Sequence, residues 1–156
     1  MARDIAGNSF NTALNLGTLR NKTRSITEVV GRLDSNDYFR FKLKSTSASI
    51  ISLTGLSADA DLEIYYETRN NPAVYSQTGT NNEVAVDPDA PKGFYYVRVF
   101  PGTFRRAIDY TLTIHAVELP RSGLTSRVRS RSASTDKFNA MGETSKRRKQ
   151  PKSLWK

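Results

Sequence analysis

The sequence has no cysteine, one histidine and one tryptophan among its 156 residues. Without cysteine the chain can form no disulfide, carry no thiolate nucleophile and hold no Cys-ligated zinc. That absence suits the cytoplasm and an exported protein without disulfides equally well, so it does not fix a compartment. The lone His115 cannot build a zinc site unless carboxylates supply the other ligands. It also lacks the G-x-S-x-G elbow that would place a serine for a Ser-His-Asp triad. Long apolar runs are missing too: none approaches the roughly 18–20 residues of a membrane-spanning helix. The opening MARDIAGNSFNTALNLG shows no basic stretch leading into an apolar one, so no Sec-type leader is expected in the sequence as written. Export would then use another route or start from an already trimmed chain.

What the chain has in excess is positive charge, formally +9. Its placement matters more than its size. Up to Glu118 there are 13 basic and 13 acidic residues, and from Leu119 onward 11 basic against 2 acidic, so the entire excess lies in the C-terminal segment. This Ser-, Arg- and Lys-rich stretch keeps no hydrophobic period. It cannot bury enough apolar surface to offset an ordering entropy of roughly 1–2 kcal/mol per residue. The expected organisation is a folded domain over 1–118 and a disordered basic tail over 119–156. The tail is read as a solubilising appendage or as a weak contact for nucleic acid or another polyanion.

Within the first part, strands declare themselves by alternation. Phe39, Phe41 and Leu43 share one face of Asp37–Lys44, with Tyr38, Arg40, Lys42 and Lys44 on the other. Leu62 and Ile64 oppose Asp61, Glu63 and Tyr65. Tyr110, Leu112, Ile114 and Ala116 oppose Thr111, Thr113 and an exposed His115. Segments 50–54, 83–87 and 93–100 are also strand-like, GFYYVRVF being apolar enough to be buried on both faces, and 25–33 is a candidate for one more strand. Asn8–Leu16 reads as a short helical turn capped by Asn8 or Ser9. Turn chemistry fills the gaps, as in DSND, GLSADAD and DPDAPKG. Seven to eight short strands with tight connections predict an all-β fold, an antiparallel β-sandwich. Arg40, Lys42 and Lys44 are expected to discourage edge pairing, which favours a monomer.

The motifs DIAGNSFNTALNLGTL, VGRLDSNDYFRFKL, ISLTGLSADADLEIYY, GFYYVRVFPG and DYTLTI, in that order, resemble the bacterial pre-peptidase C-terminal domain. The resemblance runs from about Asp4 to Ile114. It implies a β-sandwich of jelly-roll type and a non-catalytic accessory role in exported bacterial proteins: secretion, localisation or attachment. It also implies likeness to the collagen-binding domains of clostridial collagenases, which bind fibrous substrate and calcium, the latter partly through an N-terminal linker. No peptidase precedes the domain in this sequence, and a basic tail follows it.

Calcium takes six to eight oxygen ligands, so clustered Asp and Asn side chains are its sequence signal. Three groups qualify: Asp34, Asn36 and Asp37 in one turn, Asp59 and Asp61 in another, and Asp4 and Asn8 in the leading segment. The competing reading is that Asp and Asn stabilise turns through their own side-chain hydrogen bonds. The pairs Asp59/Asp61 and Asp87/Asp89 lack the cleft that a glycosidase carboxylate pair requires. Tyr38 and Tyr65, beside Arg40 and Lys42, are expected to be partly exposed and to suit an extended protein or glycan partner. No catalytic residue is assigned, and the chain is read as a non-enzyme. Its expected setting is extracellular or at the cell surface. The alternative is an intracellular sandwich anchored to a polyanion through its tail.

Overall fold

A computed structural model describes residues 4–31, 34–67, 72–76, 79, 82–102 and 107–120. Nine strands follow one another: β1 (Leu14–Leu19), β2 (Lys22–Gly31), β3 (Asp37–Leu43), β4 (Ser47–Thr54), β5 (Ala60–Tyr66), β6 (Val74–Ser76), β7 (Glu83–Ala90), β8 (Gly93–Pro101) and β9 (Ala107–Glu118). They form two sheets, ordered β1-β3-β8-β5-β6 and β2-β9-β4-β7. With β1 set aside, consecutive strands switch sheets at every step except β5 to β6, which pair as neighbours, and the two four-stranded orders are those of an eight-stranded jelly roll. All these strands fall within one compact unit, Met1–Ser122.

The expected sandwich is therefore present, with two additions. The three-residue β6 was too short to register as alternation. β1 takes the last three residues, Leu14–Leu16, of the expected helical turn. Ser9 and Thr12 do close a turn, the Thr12 amide donating to the Ser9 carbonyl at 3.1 Å and the Ser9 amide to Thr12 Oγ1 at 3.1 Å. The chain then enters β1 at Leu14 instead of continuing as helix. Because β2 intervenes in the other sheet, β1 returns beside β3 in the same direction, the one parallel pairing among the named strands.

The core lies between the sheets. Phe39, Phe41 and Leu43 from β3 meet Ile51 and Leu53 from β4 and Tyr110, Leu112 and Ile114 from β9, all buried. β8 buries Tyr95, Val97 and Val99 inward, while Phe94 on its other face is exposed, so GFYYVRVF is not apolar-packed on both faces throughout. β3 is an interior strand. Arg40 and Lys42 thus guard no edge, and the argument for a monomer built on them loses its basis. His115 is exposed, with Nδ1 2.8 Å from Thr23 Oγ1. The basic tail from residue 121 onward lies outside the described residues.

Candidate metal centre

One end of the sandwich gathers carboxylates from three parts of the chain. β2 and the approach to β3 are locked by reciprocal backbone bonds, Gly31 amide to Asp34 carbonyl at 2.5 Å and Asp34 amide to Gly31 carbonyl at 2.8 Å. This pairing sets Asp34 just ahead of β3. Asp37, the first residue of β3, has the same parity as Phe39 and Phe41, so the pleat turns it into the interior, where it is fully buried. The N-terminal segment is tied alongside: the Tyr38 amide donates to the Gly7 carbonyl at 2.6 Å, and the Ile5 amide donates to Glu28 Oε2 at 3.1 Å. Gly7 is required there, because a Cβ would lie 1.9 Å from the Thr12 carbonyl oxygen. That docking brings Asp4 in. Oxygens of Asp4, Asp34 and Asp37 all lie within 4.8 Å of one another.

Glu28 on β2 stands next to this group, fully buried and directly across from Tyr110 on β9. The Tyr110 hydroxyl crosses the sandwich to donate to Asp37 Oδ2 at 2.5 Å. The second oxygens are left over: Asp37 Oδ1, Glu28 Oε1 and Asp34 Oδ2 are buried without a hydrogen-bond partner. Among the described residues no Lys or Arg forms an ion pair with any of the four carboxylates.

Such a concentration of acid perturbs protonation. Burial, with Asp34 and Asp4 nearby, pushes Asp37 up to about 8 despite the bond from Tyr110. Burial and the charge of Asp34 also raise Asp4, and burial raises Glu28 against the lowering bond from the Ile5 amide. Tyr110 is raised by burial and then by Asp37. Buried unpartnered carboxylate oxygens are costly unless something satisfies them. A proton can do so, and so can a hard divalent cation, which prefers carboxylate oxygen and needs no nitrogen or sulfur donor. The residues present fit calcium: three carboxylates with oxygens within reach of one cation, Asp37 among them fully buried, and the buried carboxylate of Glu28 alongside.

The other expected ligands do not join this group. Asn36 Oδ1 accepts from Arg98 Nε at 2.6 Å, and its amide nitrogen donates to Ser35 Oγ at 2.9 Å. Asn8 is exposed. Asp59 and Asp61 sit in a separate acidic neighbourhood, where burial and then Asp59, Glu83 and Glu63 raise Asp61 to about 6. Glu28 is the ligand candidate that the turn-based reading missed. Its signal was available, since Glu28 falls in step with Ile26 and Val30 on an alternating strand.

The expected binding face is also rearranged. Phe10 lies over Tyr38, Tyr65 and Tyr96 with ring centroids at 4.7, 4.9 and 5.5 Å. Tyr65 is consequently buried, 7% exposed, with its hydroxyl donating to Glu63 at 2.6 Å; it is not the partly exposed contact expected from alternation. Tyr38 and Arg40 are half-buried, and Arg40 Nε is buried without a partner. Lys42 is exposed, its Nζ 4.8 Å from the centre of the Phe94 ring.

Residues 35–101 match the family model of the bacterial pre-peptidase C-terminal domain. The sandwich resembles that domain. Among solved structures, the pre-peptidase C-terminal domain of collagenase from Bacillus anthracis superposes with a TM-score of 0.52 at 21% identity, over 66% of this chain and 92% of that one. Two PliG proteins, periplasmic inhibitors of g-type lysozyme, are also similar. The Aeromonas hydrophila protein gives a TM-score of 0.47 at 10% identity, over 65% of this chain and 98% of its own. The Salmonella Typhimurium protein gives 0.41 at 12%, over 67% and 99%. No curated protein matches the chain. The pre-peptidase C-terminal family is a non-catalytic domain of secreted proteins. Of the four clustered carboxylates, only Asp37 falls inside the matched span, so the rest of the centre is read from geometry alone.

Proposed function

We propose that this chain is a non-catalytic binding module of an exported bacterial protein, attached to a cell-surface or extracellular macromolecule, whose acidic end takes calcium. The observation that carries the metal is the convergence of Asp4, Asp34 and Asp37 beside buried, unpartnered oxygens of Asp37 and Glu28. A cation there would join the N-terminal segment to β3, and Glu28 would extend the join to β2. Its role is structural: it fixes the segment that carries Phe10 onto the Tyr38 face.

Calcium at about a hundred times its dissociation constant is expected to stabilise the folded chain by about 2.7 kcal/mol. That corresponds to a Tm increase on the order of 10 °C for a domain of this size. Asp37→Asn should lose this response while remaining as stable as the parent in chelator at pH 8, because an amide there avoids burying a charge. A melting curve unchanged between excess calcium and excess EGTA would remove calcium from the proposal.

The localised charge of the tail supports a second contact. Eleven basic residues beyond Glu118 favour a polyanion, by attraction that salt screens. The full chain should be retained on an immobilised polyanion at low salt and released as salt rises. Deleting 119–156 should abolish retention; equal retention of the deleted chain would refute this contact.

A further inference from the structure

Four strand edges bound the two sheets, and three are blunted. β1 breaks register between Asn15 and Thr18, with Gly17 at φ 82°. β6 has only three residues. β2 presents exposed Lys22 and Arg24. Bulges, shortness and charge are the devices that keep an edge from pairing with another chain.

The first half of β7 has neither a bulge nor an outward charge, its one charged residue, Glu83, facing inward. Glu83 and Ala85 turn inward and are buried, whereas Val84 and Val86 point outward at 52% and 57% exposure. Pro88, which lacks a backbone donor, comes only later in the strand. Among the described residues β7 pairs with β4 alone.

This open edge borders an uncharged sheet face. Ile50 lies across from Val86 on one side and from His115 on the other, with Val117 two residues further along β9. Val84, Val86, Ile50 and Val117 are four of the six exposed large hydrophobic residues among those described. The outward positions of β4, and of β9 from Thr111 to Val117, hold no Asp, Glu, Lys or Arg. Beyond them, β2 and β9 are joined by hydroxyl pairs, Ser25 to Thr113 at 2.9 Å and Thr27 to Thr111 at 3.0 Å. In a chain that is 25% charged, a charged peptide finds nothing to pair with on this face. A second copy offers the same valines and the same open backbone.

We propose that β7 pairs antiparallel with β7 of a second copy about a two-fold axis at Val84, joining two four-stranded sheets into one of eight. The interface is isologous, so one self-complementary strand suffices. Centring on Val84 sets it against its own equivalent and Glu83 against Ala85 of the other copy. An axis at Ala85 would instead set Glu83 against Asp87, and like charges directly opposite are destabilising. The valines then form one apolar stripe across the junction.

The absence of cysteine makes the test specific. In the full chain, Val84→Cys supplies the only thiol, and a short bismaleimide should link it into covalent dimers, because directly opposed residues place their Cβ atoms about 4.5–5.5 Å apart. Thr23→Cys, on the blunted β2 edge, should stay monomeric under the same treatment. Sedimentation of the unsubstituted chain should show mass rising toward twice the monomer with concentration, and Val86→Lys should hold it at the monomer. Crosslinking no better at Val84 than at Thr23, or monomer mass at every concentration, overturns the proposal. The crosslinking comparison stands even where Val86→Lys fails to fold.

Discussion

Freed of metal, the protein is expected to be more stable at pH 5 than at pH 8. Asp37 decides the sign. Its carboxyl is held at about 8 in the folded chain, against an ordinary 3.8. Below pH 4 both folded and unfolded states carry the proton. Between about 4 and 8 the unfolded chain releases it and the folded chain keeps it, so each unit of pH favours unfolding by up to about 1.4 kcal/mol. Above 8 the folded state ionises as well and the slope from this group ends. Asp4, Glu28 and Asp61 are raised in the same direction, so they add to the decline and do not oppose it. Asp37 alone accounts for a change on the order of several kcal/mol over the window, a large part of the roughly 5–15 kcal/mol typical of a folded domain, while solvent screens the exposed Asp4. Calcium should flatten or invert this slope, since it stabilises the ionised carboxylates that the pocket otherwise disfavours. Urea or thermal melts of chelated protein across pH 4.5–8 measure the effect. Stability that is flat or rising with pH would show that these carboxylates are not buried as described.

Phe39→Ala is the second large effect. Phe39 is fully buried on the inner face of β3, between Leu14 of β1 and Val97 of β8 in register, and it packs within the cluster that includes Tyr110 and Leu112. Truncating such a side chain removes its transfer free energy and leaves a cavity, costing about 3–5 kcal/mol. Against a total of roughly 5–15 kcal/mol, the variant should melt on the order of 10–20 °C lower or fail to fold at body temperature. Phe94→Ala is the matched comparison. Phe94 points outward from β8 at 42% exposure and meets mainly Lys42, so its loss should cost roughly 1 kcal/mol or less. Chemical denaturation of the two variants separates the faces, and equal losses would contradict the assignment of inner and outer positions.

Much of the site was open to a consistent use of alternation. Asp37 keeps step with Phe39 and Phe41, and Glu28 with Ile26 and Val30, so period two alone places both carboxyls inside. Grouping the acids by turn obscured this, because turns are where Asp and Asn occur for backbone reasons of their own. Asn36 illustrates the difference: one residue from Asp37, it faces the other way and accepts from Arg98. The burial of Tyr65 was not legible in this way. Its strand parity is outward, and only a ring arriving from Phe10, 55 positions earlier in the chain, covers it.

Local pattern was enough for the layered β architecture, the inner rows of β3, β5 and β9, the localisation of the excess charge and the absence of thiol chemistry. These follow from local periodicity and composition, which every residue carries with it. Tertiary structure alone decided which acids meet and which edge stays open. Asp4, Glu28 and Asp37 converge because the N-terminal segment docks between β2 and β3. β7 rather than β3 is an edge because of the order in which the strands enter the sheets. Both depend on contacts between residues far apart in sequence, where loop closure and packing, not local preference, set the outcome.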